Sequence, residues 1–445
     1  MSQDEQSIES FLQCLPNSAI HTVGPELVFG TLFDRIGFNA VPDELFRHLV
    51  VARLAYPTSK LKTVDYLYRY MGIKVEVDQI YRFLDKLHKT HKETIEKITF
   101  KYTKKQLKNI TVVFYDMTTL YFEAEDEDDL RKIGFSKDGK FQQPQIMLGL
   151  LVGESGYPIG YDIFEGNTFE GHTLIPTLKN IRDKYGFPEP VVIADAALLS
   201  RDNLRNLKEA NYCFILGGRI KNETESMKKK ILIKTKKIKE NGNCIIKRPD
   251  RTRLIITYSE SRAHKDAHNR ERGLEKLKKR VQSGKLTKEN INNKGYNKFL
   301  TLEGSITVKV DEDKIKEDAK WDGLKGYVTN TRLHAKNVVE NYSHLWQIEN
   351  AFRISKTDLR IRPVYHRQKD RIEAHICISF VAYTVYKELE RLLKKHKLDI
   401  SPKRAAELTH TMYGLEYSLP HSDGREQVIL KMDDEQQILY EIINK

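Results

Sequence analysis

Apolar residues in the first hundred positions return at helical spacing. Val64, Leu67, Tyr68 and Met71 share one face of a helix, and Ile80, Phe83, Leu84 and Leu87 share another. Gly72 follows the first set, where a helix C-cap belongs, and Asp78 is placed to cap the second. Residues 1–108 are therefore expected to be helical.

The pattern then changes. Ile110–Tyr115, Gln145–Val152 and Tyr157–Phe164 are strand-like runs, the last two separated by the turn residues ESGYP. Thr173–Tyr185 reads as a helix, Val191–Ala194 as a short buried strand, Ser200–Ala210 as a helix capped by Ser200, and Tyr212–Leu216 as a fifth strand. A meander of three strands followed by helix, strand, helix and strand predicts an α/β fold with a mixed five-stranded sheet. It is also the element order of a ribonuclease H-like core.

That core spans 109–218 and is expected to be interrupted by a β-rich, basic subdomain at 219–325. This stretch opens with seven lysines among residues 228–239. It carries strand-like Leu254–Tyr258, a charged helix around Arg270–Arg280 and strand-like Ser305–Val310, with a polar loop near 283–297. The core resumes at 326–396, with helices near 335–362 and 369–396. The mixed, polar region 397–445 is assigned to oligomerisation.

Charge narrows the function classes. The 445-residue chain has 75 Lys and Arg against 62 Asp and Glu, a formal net charge of +13. An excess of this sign favours a polyanionic partner, DNA or RNA before others. Arg82, Lys86 and Lys89 on the second N-terminal helix would then face phosphates, as in a helix-turn-helix. An ordinary helical hairpin carries the same pattern, and the Gly72–Asp78 connection is longer than the tightest such turn. Cys14, Cys213, Cys244 and Cys377 are scattered, without the spacing of a zinc cluster or disulfide framework. The start, MSQDEQSIES, has no signal-peptide character, and apolar runs such as Ile146–Val152 are too short to span a bilayer. A cytoplasmic, nucleoid-associated protein is expected. No phosphate-binding Walker pattern is present. His264 and His268 lack the glutamate of a metalloprotease helix and read as surface residues. The acidic run 123–129 reads as a solvated loop.

Phosphodiester chemistry needs hard cations held by carboxylates from distant positions. Asp116 follows the apolar run VVFY, and Asp195 follows VVIA. A carboxylate in or beside a buried strand is costly unless it is paired or bound to a metal. Each aspartate alone could be a turn or capping residue; together they point to a shared metal site. Glu349 lies in HLWQIENAFRISKTDLRIR. On one continuous helix with Glu349 at zero, Tyr342 falls at roughly 20°, Arg353 at roughly 40°, Lys356 at roughly −20° and Arg360 at roughly 20°. One acid within a stripe of cations suits a metal site beside a DNA backbone. A Glu349–Arg353 pair alone would contribute only about 0.3 kcal/mol to the helix.

These blocks carry a resemblance. YDMTTLYFE with Asp116, GFSKDGKFQQPQIMLGLLV, YDIFEGNTFEGHTL, VVIADAALLS with Asp195 and YSHLWQIENAFRISKTDLRIRPVYH with Glu349 stand in the order found in DDE transposases of bacterial insertion sequences, in the insertion-sequence-four superfamily. The resemblance spans at least 110–385. It implies a ribonuclease H-like catalytic core with a β-rich insertion before the last catalytic helix, and terminal inverted repeats bound by the N-terminal helical region, with the basic insertion as a second candidate. It implies two Mg²⁺ ions, with Mn²⁺ as substitute, on Asp116, Asp195 and Glu349. It implies phosphate contacts from Tyr342 and Lys356, cut-and-paste strand transfer into double-stranded target DNA, and a homo-oligomer on paired ends. The superfamily's arginine three residues after the tyrosine is Leu345 here, and Arg353 is the candidate replacement. A purely hydrolytic nuclease of the same fold, a DNA-binding remnant and a basic scaffold remain as rivals. The scaffold leaves the three acids unexplained.

Overall fold

Val112–Tyr121 is apolar enough to be covered on both faces, and Asp116 interrupts it in mid-strand rather than ending it. This strand begins the central sheet of the computed structural model, which describes residues 9, 12, 13, 15, 16, 19–186, 189–284, 286, 288–292, 295–303, 307–417 and 426–445. Cys14 and Ser305 lie outside the described residues. Cys213, Cys244 and Cys377 are free thiols.

The chain divides into two units, Met1–Pro190 with Trp346–Lys445, and Val191–Leu345. In the first, Val112–Tyr121, Gln145–Val152 and Pro158–Glu165 form an antiparallel meander in which Asp116 pairs with Leu150. The middle strand is buried at every position, as its apolar run Ile146–Val152 requires, and the polar Gln145 at its start donates to the Phe135 and Gly166 carbonyls.

A 27-residue helix, Lys369–Lys395, anchors the helical layer of this unit. Ile372, Ile376, Val381, Val385 and Leu389 are all buried, each stabilising the fold by about 2 kcal/mol. It packs against Glu44–Ala55, Val77–Lys86 and Lys92–Leu107. The N-terminal pair forms as expected: Lys60–Met71 ends at Gly72 in the left-handed conformation (φ 69°), and Val77–Lys86 follows. The second helix is capped by a Glu76–Gln79 capping box rather than by Asp78, because Gln79 lies three residues after Glu76 and can return a bond to its amide. The strands Ile20–Thr22, Tyr413–Tyr417 and Glu426–Ile429 make a small antiparallel sheet.

The second unit is a five-stranded mixed sheet. Val191–Ala194 runs parallel to Cys213–Gly218. Leu324–Thr329, Arg253–Tyr258 and Asn243–Lys247 extend it antiparallel in that order. The strands of the lysine-rich stretch are thus bonded into one sheet with Val191–Ala194 through Leu324–Thr329. Ser200 caps the intervening helix Arg201–Glu209, accepting from the Asn203 amide. The charged helix is longer than its sequence core, Glu260–Gln282.

Helices form at 335–362 as expected, but the stretch Tyr342–Arg360, placed on one continuous helix to draw the stripe, crosses three pieces. Ala335–Ser343 ends where the Ser343 hydroxyl bonds the Glu340 carbonyl, competing with the helix ladder. Trp346–Arg353 then runs into a π-turn, Ile354–Asp358, with the Leu359 amide on the Ile354 carbonyl. Both interruptions shift the helical phase, so the single stripe of cations does not exist as drawn from one helix. Among the described residues, no helix is long and apolar enough to cross a membrane.

Candidate active site

In the first unit, Asp116 is the partly open point of a buried strand, its side chain 23% exposed. Oδ1 accepts from the Met117 amide at 2.7 Å, and Lys137 Nζ lies 3.6 Å from it. Lys137 also donates to the Met117 carbonyl at 2.6 Å and pairs with Glu170 Oε1 at 2.8 Å. An acid embedded in this strand is therefore offset by a cation from the loop that precedes Gln145.

The next residue of that loop, Asp138, accepts from Lys356 Nζ at 3.3 and 3.4 Å and forms an ion pair with Arg362. Burial holds the Lys356 ammonium below the ordinary lysine range, against the opposing pull of Asp138. Lys356 thus faces a protein carboxylate across a mostly buried gap.

Glu349 is exposed in the first turn of Trp346–Arg353, where the helix dipole favours an anion. Ile348, Ala351 and Phe352 bury the opposite face, and the helix packs on the Val112–Tyr121 and Gln145–Val152 strands. Gln347 Oε1 accepts from the Gly156 amide at 3.1 Å, which fixes the start of the helix. Arg353 is bonded to Asn350 at 2.7 and 3.2 Å. Arg360 follows the π-turn in the left-handed region (φ 45°) and is exposed. Arg82 is exposed on Val77–Lys86, whereas Lys86 is paired with Asp43 at 2.9 Å.

In the second unit, Asp195 caps the turn Ala196–Leu198, Oδ1 accepting from the Ala197 and Leu198 amides at 2.7 and 3.4 Å. Tyr342 is buried rather than displayed on a stripe. Its ring meets Tyr327 edge-on at 5.0 Å, and Lys325 Nζ lies 4.7 Å from its centroid. Leu345 is buried as well.

The donor chemistry suits a hard divalent ion, since all three candidate ligands are carboxylates and Asp116 already has a cation, Lys137, beside it. Among the described residues, no three His, Cys, Asp or Glu side chains are already gathered closely enough to hold a metal ion. Lys137, Asp138 and Glu170 were not singled out from the sequence. They lie inside the SKDG and NTFEGH blocks, and that position was the available signal.

The model of the transposase DDE domain matches residues 107–385, well over half of the chain. The chain belongs to this family: it is a DNA-cleaving and strand-transferring enzyme of DNA transposition. DDE transposases use divalent metals. No curated protein matches the sequence. Among solved structures, the chain is similar to a piggyBac transposase synaptic complex with hairpin DNA, at 9% identity and a TM-score of 0.44, covering 87% of this chain and 76% of that one. It is also similar to a Mos1 transposase paired-end complex with the left transposon end (13% identity, TM-score 0.18, 38% of this chain and 56% of that one). A Mos1 mariner paired-end complex with Mn gives 15% identity and a TM-score of 0.16 over 35% and 54%. This chain spans little more than half the length of the two Mos1 chains.

Proposed function

We propose that the protein is the cut-and-paste transposase of a bacterial insertion sequence of the insertion-sequence-four superfamily, with Asp116, Asp195 and Glu349 as its metal ligands and catalytic acids. The observation that carries this reading is Asp116: a carboxylate set into a strand buried on both faces, left partly open and attended by a lysine. Such a position costs stability unless a cation shares it. Two Mg²⁺ ions, or Mn²⁺ in their place, would activate the attacking oxygen and stabilise the leaving one.

The protein's own residues supply placement. The buried strand and the packed face of Trp346–Arg353 hold Asp116 and Glu349 on rigid elements. The Ala197 and Leu198 amides hold Asp195 by one oxygen. Tyr342, Arg353, Lys356 and Arg360 are assigned to the DNA backbone, which orients the duplex without reading its sequence. For Lys356 this requires that a phosphate replace Asp138. The helical region 1–108, with Arg82 and Lys86, is assigned to the terminal inverted repeats. The ribonuclease H-like core is assigned to 109–218 and 326–396, and oligomerisation on paired ends to 397–445. The site of action is the bacterial cytoplasm, at the nucleoid.

The test is cleavage and joining of labelled element ends with a target plasmid and divalent metal. Glu349→Gln is expected to bind ends as wild type does and yield neither product. Equal loss of binding would make Glu349 a structural residue. Nicks from the wild type without joined products would favour the hydrolytic nuclease.

A further inference from the structure

Within the first unit, the segment that follows the π-turn borders a groove of about 630 Å³ lined by Arg53, Ser59, Lys60, Arg360, Arg362 and His366, among others. No acidic side chain lines it among the described residues. Two of its cations are almost fully enclosed, Arg53 at 5% and Lys60 at 6% exposure. Among the described residues, Arg53 Nη1 reaches only the Leu359 and Arg360 carbonyls, both at 3.4 Å. Among the described residues Lys60 has no hydrogen bond or ion pair.

The surroundings confirm the local sign. Burial pulls Lys60 well below the ordinary lysine range, and the Arg53 charge adds to this. His366 is lowered to about 3, first by burial and then by Lys60 and Arg53. Of the nearby acids, Asp85 is held by Arg371 in a two-bond pair, while Asp138 pairs with Lys356 and with Arg362 of the groove, which leaves Arg53, Lys60 and Arg360 as the cations it does not neutralise. Ser59 caps Lys60–Met71, so the amides of that helix start add further positive potential. Enclosed cations without a counter-ion are unfavourable, and the groove is open to one.

We infer that this groove is an anion site built for a phosphate group, and that its physiological occupant is a backbone phosphate of the DNA. A tetrahedral oxyanion accepts from an ammonium, a guanidinium and helix amides together. Assignment to DNA rests on the proposed transposase reading, and on Arg360 and Arg362 belonging to the segment that leaves the Glu349 helix.

Two measurements on the full chain test this. The first is thermal melting in inorganic phosphate against chloride at constant ionic strength, without DNA or metal. Wild type is expected to gain melting temperature with phosphate. Lys60→Met keeps the apolar stem and is expected to fold but lose the gain. The second is duplex affinity against salt, where Lys60→Met is expected to lower the slope by roughly 0.9, one phosphate. Arg360→Gly suits the local backbone and is expected to lower the slope similarly, so the test survives a Lys60 variant that does not fold. An unchanged phosphate response in Lys60→Met overturns the site; should Lys60→Met not fold, an unchanged phosphate response in Arg360→Gly overturns it. A lost phosphate response with an unchanged salt slope overturns the DNA assignment and leaves a free-anion site. The melting arm uses no catalysis, so it stands apart from any failure of cleavage.

Discussion

Lys356 Nζ lies 3.3 Å from Asp138 Oδ2, and the residue beside Asp138 reaches Asp116, so one loop grips both the Asp116 strand and the segment after the Glu349 helix. Asp138 and Lys356 are 18% and 13% exposed, which places the pair in a low-dielectric setting where losing one partner is costly. Asp138→Asn leaves Lys356 and Arg362 facing a neutral amide. It is expected to lower stability by about 3 kcal/mol, measured by urea denaturation. In a double-mutant cycle with Lys356→Ala, the two losses should not add. Additive losses would mean that the contact contributes nothing.

Gly217 allows a close approach in the second unit. A Cβ there would stand 2.6 Å from the Tyr342 hydroxyl and 2.8 Å from the Ala196 amide nitrogen, in the turn capped by Asp195. Gly217→Ala should therefore cost about 1–3 kcal/mol and reduce DNA cleavage at temperatures where the variant is still folded. A variant with wild-type melting and wild-type cleavage would show that the turn yields freely.

Asp250 gives a pH-dependent signature. Burial would raise its carboxyl, but bonds from Lys208 and from the Thr252 hydroxyl and amide outweigh that and lower it to about 2. A carboxylate depressed in the folded state contributes stability above its unfolded pKa, about 3.9, and loses it as pH falls through the folded value. The melting temperature of Asp250→Asn should therefore lie below wild type at pH 7 and approach it between about pH 4 and pH 2. A gap that is constant over this window would remove ionisation as the cause.

The N-terminal helices divide their cations. Lys86 already pairs with Asp43, whereas Arg82 is exposed on the same helix. Arg82→Ala should weaken binding to element ends and lower the salt slope by roughly 0.9. Lys86→Ala should do less, since its ammonium must first leave Asp43. Unchanged affinity and slope in the double variant would remove this helix from the DNA interface.

Much of the local structure was legible because single elements obey local rules. The largely apolar run Gln145–Val152 is the strand it appeared to be, Ser200 caps its helix and Gly72 ends another. Leu324–Thr329 was not recognised. Its lysine and glycine break the apolar pattern, although it lies between two strands of its sheet. The cation stripe failed for a related reason: periodicity assumes one helix, and a serine-capped break plus a π-turn reset the phase. The candidate acids were legible from their place beside apolar runs. Lys137, Asp138 and Glu170 were not, because only the fold brings these loop residues to the strand and to the Lys356 segment. Nothing in KLKTVDYLYRYM marks Lys60 as enclosed, since its groove is completed by Arg360, Arg362 and His366, far along the chain.

The most direct test of the central claim is strand transfer by Asp116→Ala and Asp116→Cys in Mg²⁺ and in Mn²⁺. A thiolate is a poor ligand for Mg²⁺ and a better one for Mn²⁺. If Asp116 holds the catalytic metal, both variants lose cleavage and joining in Mg²⁺ while still binding element ends. The cysteine variant alone then recovers part of its activity in Mn²⁺. Joining at wild-type levels by Asp116→Ala in Mg²⁺ would contradict the account and move the chemistry to other residues.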